Sequence, residues 1–198
     1  MNNRRNKYEK ELYKEGINLV GGIDEVGRGP LVGSVVAAMV ILPRNYYNED
    51  IKDSKKLSEK KRELLYDVIM ENAISVGIGI IDNKRIDEIN IYESTKEAMI
   101  LAIRNSKIVP EHILIDAMKL DIDIPFTSII KGDDLSISIA AASIIAKVTR
   151  DNMMFELDKK YPMYDFCHNK GYGTKKHIEA INTYGIIEEH RRSFARVK

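Results

Sequence analysis

Three apolar segments of strand length run directly into acidic residues, and this feature limits the folds open to the chain more than any other. The acids at these ends are Asp24 and Glu25, Asp116, and Asp133 or Asp134. A carboxylate beside buried apolar residues is costly to desolvate unless something positive compensates it. The pattern therefore favours a fold in which the ends of several strands meet at one edge of a sheet.

Apolar periodicity predicts that strands come first and then alternate with helices. Strands are predicted at 17–26, 31–42, 74–81, 112–116 and 126–131. Helices are predicted from Ser58 to about residue 72, over 84–106 in two pieces around Asn90, and over 136–160. The remainder, 161–198, is predicted to be loop with one or two short helices. This order predicts an α/β protein with a mixed sheet covered by helices on both faces.

Length and composition predict a single globular domain. With 198 residues, of which 44% are hydrophobic, the chain can bury a core without disulfides or a structural metal. The single cysteine, Cys167, excludes an intramolecular disulfide framework and a zinc site built from several cysteines. No apolar leader opens the sequence, and no run approaches the ~18 apolar residues that cross a bilayer. We therefore expect a cytoplasmic protein.

The charge is balanced overall but uneven along the chain. There are 31 lysines and arginines and 30 acidic residues, whereas the segment 167–198 holds seven basic residues, three acidic residues and three of the four histidines. A basic end can bind a polyanion such as a nucleic acid. A solvated basic tail also explains the pattern, and charge alone favours this second interpretation.

The strand-end acids also have two explanations. Any single one is more often a helix cap or a turn residue, but the group as a whole favours a site for Mg²⁺ or Mn²⁺, which prefer carboxylate oxygens. Adjacent residues of a strand point to opposite faces. Asp24 and Glu25 can therefore share a cation only if the strand bends there or one of them contributes its backbone carbonyl. The glycines that follow allow such a bend.

Two glycine-flanked segments are candidate nucleic-acid contacts. Gly27-Arg28-Gly29-Pro30 predicts a tight turn whose N–H groups can form an anion-binding nest, although a plain hairpin connection fits as well. Tyr172 lies between two glycines that offer it no packing surface, so it is a candidate platform for stacking on a base or sugar. Cys167, His168 and His177 show no recognisable zinc-ligand spacing.

Six motifs resemble, in order, those of the bacterial ribonuclease HII family. They are GGIDEVGRGPLVGSVVAAMVIL (21–42), DSKKLS (53–58), LIDAM (114–118), IIKGDDLSISIAAASIIAKVTRD (129–151), HNKGYGTKKH (168–177) and EEHRRSF (188–194). The resemblance extends from about residue 19 to the last residue, and IDEVGRGP together with AAASIIAKVTRD is highly specific. The related ribonuclease HIII family normally lacks the Gly-Arg-Gly turn and carries an additional N-terminal domain.

The resemblance implies a ribonuclease H-like fold, with a five-stranded mixed sheet flanked by helices and a small helical C-terminal subdomain. The expected divisions are an N-terminal extension at 1–16, a catalytic domain at 17–160 and the C-terminal subdomain at 161–198, packed on the same domain. The implied activity is hydrolysis of the RNA strand of RNA/DNA hybrids and cutting on the 5′ side of single ribonucleotides in duplex DNA. Nucleic acid is the implied partner, no membrane is involved, and nothing demands more than a monomer.

The resemblance also implies the catalytic residues and the cofactor. The family's four acids, which are both catalytic and metal-binding, correspond to Asp24, Glu25, Asp116 and Asp133. Asp133 directly follows Lys-Gly as in the family motif, and Asp134 is the alternative. The implied cofactor is a pair of Mg²⁺ or Mn²⁺ ions, which activate a water and stabilise the departing 3′ oxygen, so that no histidine base is needed.

Substrate recognition is implied for a further group of residues. The backbone of the Gly27-Arg28-Gly29 turn is expected to contact the 2′-hydroxyl, and Tyr172 is expected to stack on the next deoxyribose. The candidate phosphate contacts are Lys55, Ser143 and Lys147. Helix packing and solvation also explain Ser143 and Lys147. A nuclease of this fold that ignores the ribose remains the alternative function, and a non-enzymatic nucleic-acid binder is disfavoured because uncompensated acids repel phosphate.

Overall fold

A five-stranded mixed sheet forms the centre of the computed structural model, which describes residues 6–197. The strands are β1 (Val20–Val26), β2 (Val35–Ile41), β3 (Ser75–Ile81), β4 (His112–Asp116) and β5 (Phe126–Ile129). Their order across the sheet is β3-β2-β1-β4-β5. β1 pairs antiparallel with β2, and β2 with β3, whereas β4 runs parallel to β1 and β5 parallel to β4. The predicted mixed sheet is confirmed.

Seven helices surround the sheet within the described residues. They are α1 (Lys7–Lys14), α2 (Glu59–Asn72), α3 (Asn83–Arg104), α4 (Gly132–Leu135), α5 (Ile137–Lys160), α6 (Phe166–Asn169) and α7 (Lys175–Tyr184). Ser58 caps α2, since its side chain accepts a hydrogen bond from the Lys61 N–H. Asn90 interrupts α3 with a φ of 70°. Both features agree with the sequence-based predictions.

The two longest helices cover opposite faces of the sheet and approach it closely. On one face, α5 lies so near β1 that a Cβ at Gly22 would overlap the backbone of Ser138. On the other face, α3 packs on β3, where a Cβ at Gly77 or Gly79 would overlap helix carbonyl oxygens. The small residues of these elements therefore bring the helices, and the loops that they carry, close to the strand ends.

The N-terminal helix α1 is attached to the beginning of α5 by a buried carboxylate. Glu9 is 1% exposed. Its Oε1 accepts hydrogen bonds from the Ser136 hydroxyl at 2.6 Å and from the Ser138 N–H at 3.0 Å. The residues near the N-terminus, for which the sequence indicated no role, thus hold the junction between α4 and α5. Residues 1–5 lie outside the described part of the chain.

The C-terminal segment packs against the loop that joins β1 to β2. The Leu31 N–H donates to Gly171 O at 2.8 Å and the Gly33 N–H to Glu189 O at 2.9 Å, and Val32 forms a β-bridge with His190. The division of the chain at residues 16 and 160 stays a prediction. None of the helices in residues 6–197 is long and apolar enough to span a membrane.

Candidate active site

The parallel strands bring three of the predicted acids together. Asp24 lies near the carboxyl end of β1 and Asp116 ends β4, which runs parallel to β1 with Ile23 opposite Ile115. Asp133 follows β5 and lies in the first turn of α4. Because β1, β4 and β5 run in the same direction, their carboxyl ends meet at one edge of the sheet. Carboxylate oxygens of the three acids all lie within 4.8 Å of one another.

The electrostatics of this acid trio (Asp24, Asp116 and Asp133) are those of a crowded anionic cluster whose charges repel one another. Burial, and then the charges of Glu25 and Asp116, raise the pKa of Asp24 well above its ordinary value. Burial, followed by the charges of Asp53 and Asp116, also raises the pKa of Asp133. Backbone N–H groups orient two carboxylates: Glu25 N–H donates to Asp24 Oδ1 at 2.7 Å, and Gly132 N–H donates to Asp116 Oδ1 at 2.8 Å.

This donor set fits a hard divalent cation. All three side chains offer carboxylate oxygens, the ligands that Mg²⁺ and Mn²⁺ prefer. A cation would also remove the repulsion and the desolvation cost that raise the pKa values of Asp24 and Asp133. The geometry is therefore that of a candidate metal site at the strand ends.

Glu25 lies at the rim of the acid trio rather than within it. β1 continues without a bend through Val26, so Asp24 and Glu25 leave the strand on opposite faces. Glu25 Oε1 instead lies 3.4 Å from Arg28 Nη1. Burial raises the pKa of Glu25 even though the Arg28 guanidinium lowers it. The bend allowed by the glycines begins only after the acidic pair.

The structure separates the two candidates for the fourth acid. Asp134 pairs with Lys56, with Nζ and Oδ1 2.5 Å apart, whereas Asp133 is the residue whose carboxylate joins the acid trio. Lys55 faces the trio. Although partial burial alone would lower its pKa, the charges of Asp24, Asp53 and Asp133 raise it. This geometry supports Asp133 as the fourth acid and places a cationic side chain beside the carboxylates.

The other two candidate phosphate contacts already have protein partners. Ser143 is 4% exposed. Its hydroxyl donates to Ala140 O at 3.0 Å and accepts from the Ser54 N–H at 3.3 Å, so it joins α5 to the loop that carries Lys55. Lys147 Nζ donates to Asp151 Oδ1 at 2.6 Å. Their contact with phosphate stays a prediction, and their observed contacts are structural.

The glycine turn and the tyrosine singled out in the sequence lie against each other. Gly27 has a φ of +96°, and a Cβ at Gly29 would lie 3.3 Å from Cε1 of Tyr172. Tyr172 is 46% exposed, so one part of its ring packs on the turn and the rest faces solvent. Arg28 pairs with Glu25, whose backbone N–H donates to Asp24 of the acid trio. The turn, the tyrosine and the carboxylates thus form one continuous site.

Sequence reasoning missed two residues behind the turn, Arg150 and Arg191. Both are fully buried, and they donate hydrogen bonds to the carbonyls of the loop between β1 and β2. Arginine is normally exposed, so neither residue stands out by type. The only available signal was position, because each lies in one of the six motifs quoted above.

A second group of potential metal ligands lies on the surface. Asp165, Cys167 and His168 place donor atoms within 4.8 Å of one another, an arrangement that the sequence spacing did not suggest. His168 is paired with Asp165, which also lies 3.8 Å from Lys176 Nζ. His177 is buried elsewhere and takes no part in the group.

Comparison with known proteins identifies the family of this chain. The family model described as ribonuclease HII matches residues 21–198. The chain belongs to the ribonuclease HII family. Ribonuclease HII of Bacillus cytotoxicus is 62% identical over 192 residues, which are 97% of this chain and 74% of the relative. Ribonuclease HII of Bacillus mycoides is 60% identical over 192 residues, 97% of this chain and 75% of the relative.

Solved structures agree with the fold. Ribonuclease H2 from Pyrococcus horikoshii aligns over 90% of this chain and 95% of its own, with 26% identity and a TM-score of 0.76. Ribonuclease HII of Archaeoglobus fulgidus, solved in complex with PCNA, aligns over 89% and 95%, with 26% identity and a TM-score of 0.71. A ribonuclease HIII solved with Mn²⁺ shares the fold at 22% identity, over 91% of this chain and 68% of its own, with a TM-score of 0.70.

Family membership makes this chain a nuclease of the type 2 ribonuclease H class, which acts on nucleic acid. A divalent-metal requirement is consistent with the family and with the carboxylate donor set of the acid trio.

Proposed function

We propose that this ribonuclease HII family member hydrolyses the RNA strand of RNA/DNA hybrids and cuts duplex DNA on the 5′ side of a single embedded ribonucleotide. The products are 3′-hydroxyl and 5′-phosphate ends. One juxtaposition carries the proposal: Glu25 donates its backbone N–H to Asp24 of the acid trio and pairs through its side chain with Arg28 of the turn on which Tyr172 packs. A phosphate held at the carboxylates therefore places its ribose beside the turn and the tyrosine.

We propose that two divalent ions, Mg²⁺ or Mn²⁺, act at the strand ends. Asp24, Asp116 and Asp133 would hold them, and Glu25 stands at the rim where it can join once substrate is present. When bound, the ions supply a water of lowered pKa and neutralise the charge on the phosphate and the departing oxygen. The buried position of Asp24 keeps its carboxylate fixed for this purpose.

Other side chains orient the nucleic acid. The Lys55 ammonium is close enough to the carboxylates for their charges to raise its pKa, and it offsets part of their repulsion of the phosphate backbone. The deoxyribose of the nucleotide next to the ribonucleotide would stack on the exposed part of the Tyr172 ring. The backbone N–H groups of the turn would donate to the 2′-hydroxyl, the group that distinguishes a ribonucleotide from its deoxy counterpart.

The test uses end-labelled duplex DNA that contains one ribonucleotide, beside an all-DNA duplex of the same sequence. Each duplex is incubated with Mg²⁺, with Mn²⁺ and with EDTA. We expect a single metal-dependent cut on the 5′ side of the ribonucleotide and no cut in the control. The 5′ end of the product should be a substrate for a ligase, as a 5′-phosphate requires.

Cutting of both duplexes would support the alternative, a nuclease of the same fold that ignores the ribose. The packing of Tyr172 on Gly29 disfavours that alternative, because a nuclease without ribose selection has no use for this surface. The absence of any cut with folded protein would contradict the proposal. The cytoplasmic location and the monomeric state stay predictions.

A further inference from the structure

Two arginines are fully buried directly behind the turn proposed to recognise the ribose. Arg191 is 0% exposed and Arg150 is 1% exposed, although arginine is almost never fully buried unless its charge is paired. Their hydrogen-bond partners are backbone carbonyl oxygens rather than carboxylates. Burying a charge whose hydrogen bonds all go to neutral groups is costly, and this cost indicates that the two side chains have a specific role.

Arg191 contacts most of the loop between β1 and β2. Its Nη2 donates to Gly27 O at 2.6 Å, and its Nη1 donates to Arg28 O at 3.2 Å and to Pro30 O at 2.8 Å. Its Nε donates to Gly33 O at 2.8 Å. A single planar guanidinium thus fixes the direction of four carbonyl groups of one loop.

Arg150 holds the next part of the same region. Its Nε and Nη2 donate to Ser34 O and Val32 O, both at 3.1 Å, and its Nη1 donates to Lys170 O at 2.9 Å. This last contact joins the loop between β1 and β2 to the segment that precedes Tyr172. A Cβ at Gly27 would overlap the Arg150 side chain, so the two arginines enclose the turn from behind.

The direction of these carbonyls determines where the neighbouring N–H groups point. The described chain contains no cis peptide bond, and in a planar trans peptide the C=O of one residue and the N–H of the next point in opposite directions. Since Gly27 O and Arg28 O face the buried guanidinium, the N–H groups of Arg28 and Gly29 face away from it. Within residues 6–197, neither N–H donates a hydrogen bond to another protein group.

We infer that Arg191 is the positioning residue of ribose selection, because it aims the Arg28 and Gly29 N–H groups at the position that a 2′-hydroxyl would occupy. The inference rests on the proposed function of the turn, and it names the side chain that holds the turn in the conformation needed to contact a 2′-hydroxyl. Arg191 does not touch substrate. It acts through the backbone that does.

The charge of Arg191 has a second consequence. Burial, and then the nearby charge of Arg150, lowers the pKa of Arg191 to about 9, which leaves it charged at neutral pH. Two positive charges therefore lie behind N–H groups that already present positive ends of peptide dipoles. This potential offsets the repulsion between the acid trio and an approaching phosphate.

The test compares Arg191→Lys with the wild type. Lysine keeps the charge but cannot reach four carbonyls in fixed directions, so it separates charge from orientation. The measured quantity is the discrimination ratio, which is the Kd for an all-DNA duplex divided by the Kd for the same duplex with one ribonucleotide, with Ca²⁺ to prevent turnover. We expect Arg191→Lys to lower this ratio by about tenfold, the value of one or two good hydrogen bonds.

Ile69→Ala is the matched control for stability. Ile69 is a buried residue of α2 that packs in the core on the α5 side of the sheet, away from the turn. We expect it to lower the melting temperature at least as much as Arg191→Lys while it keeps the discrimination ratio within about twofold of wild type. An Arg191→Lys protein that is folded and retains full discrimination would overturn the inference.

A measurement on the wild type covers the case in which Arg191→Lys does not fold. Hydrogen exchange at the Arg28 and Gly29 amides should be fast in the free protein and slowed by the ribonucleotide-containing duplex but not by the all-DNA duplex. If both duplexes slowed exchange at these two amides equally, the N–H groups would not be directed at a 2′-hydroxyl and the inference would be contradicted. Failure of the proposed function looks different, since the wild type itself would then bind and cut both duplexes alike.

Discussion

The imidazole rings of His177 and His190 face each other in the interior, with their Nε2 atoms 3.2 Å apart. The Ile187 N–H donates to Nδ1 of His190 at 2.9 Å, and Nδ1 of His177 lies 2.9 Å from Tyr172 O. These contacts are satisfied when both rings are neutral, with His190 donating to His177 and His177 donating to Tyr172 O. A pair of neutral histidines therefore supports the backbone of the proposed stacking residue.

This pair predicts a loss of stability in mild acid. Burial, and then the neighbouring His177, lowers the pKa of His190 to about 4 from its ordinary value of 6.5. Because the unfolded chain binds the proton more readily, the contribution of His190 is complete above pH 6.5 and is lost as pH falls toward 4. The free energy of unfolding should fall by at most about 1.4 kcal/mol per pH unit for this one group.

Urea unfolding between pH 7 and pH 4 measures the effect. His190→Gln removes the titrating group and can still accept from the Ile187 N–H, so its stability should depend less steeply on pH in this window. Ile69→Ala is the control, since it removes a buried apolar side chain and no titrating group and should lower the free energy of unfolding without changing its dependence on pH. Parallel slopes for wild type and His190→Gln would contradict the assignment.

Asp24→Asn should abolish cleavage and raise stability when metal is absent. The substitution removes a charge that is repelled by Glu25 and Asp116, so the melting temperature in EDTA should rise. Cleavage with Mg²⁺ should fall by at least ~10³-fold, because metal-assisted stabilisation of the transition state amounts to several kcal/mol. Asp134→Asn is the control, and since Asp134 pairs with Lys56 outside the acid trio, its rate should stay within a few-fold of wild type.

Tyr172→Ala should reduce cleavage at a single ribonucleotide more than cleavage of a long RNA/DNA hybrid. Loss of one stacking contact amounts to about 1–3 kcal/mol, so we expect roughly tenfold or more on the first substrate. Tyr172→Phe keeps the ring and should restore most of the activity. Tyr47→Ala, which removes another exposed ring, should have no such effect. An equal loss on both substrates would rule out junction recognition by Tyr172.

Glu9→Ala should destabilise the protein through the beginning of α5. It leaves the Ser136 hydroxyl and the Ser138 N–H without their carboxylate acceptor, at a cost of about 1–3 kcal/mol. Chemical denaturation measures the loss, and Glu11→Ala, on the exposed side of the same helix, should change the unfolding free energy by less than about 0.5 kcal/mol. If Glu9→Ala left the free energy of unfolding unchanged, α1 would not stabilise the beginning of α5.

Most of the fold followed from local patterns. The strand 112–116 was predicted with the bounds that β4 has, because its short run of buried apolar residues and its acidic end lie within five consecutive residues. The break in α3 at Asn90 and the Ser58 cap were likewise predictable, since both depend on residues close in sequence. The acids at the strand ends followed from the same patterns, and the parallel topology brought three of them together.

By itself, the sequence determined the elements, the carboxylates that end them and the family resemblance, because all of these are local in the chain. The tertiary structure places Asp133, the acid that the family resemblance implied, beside Asp24 and Asp116, and only the structure shows that Glu25 stays at the rim. It alone also revealed Arg191, which lies more than 150 residues from the loop that it holds. Burial and the direction of a hydrogen bond depend on which distant segments pack together, and a local sequence pattern does not determine that packing.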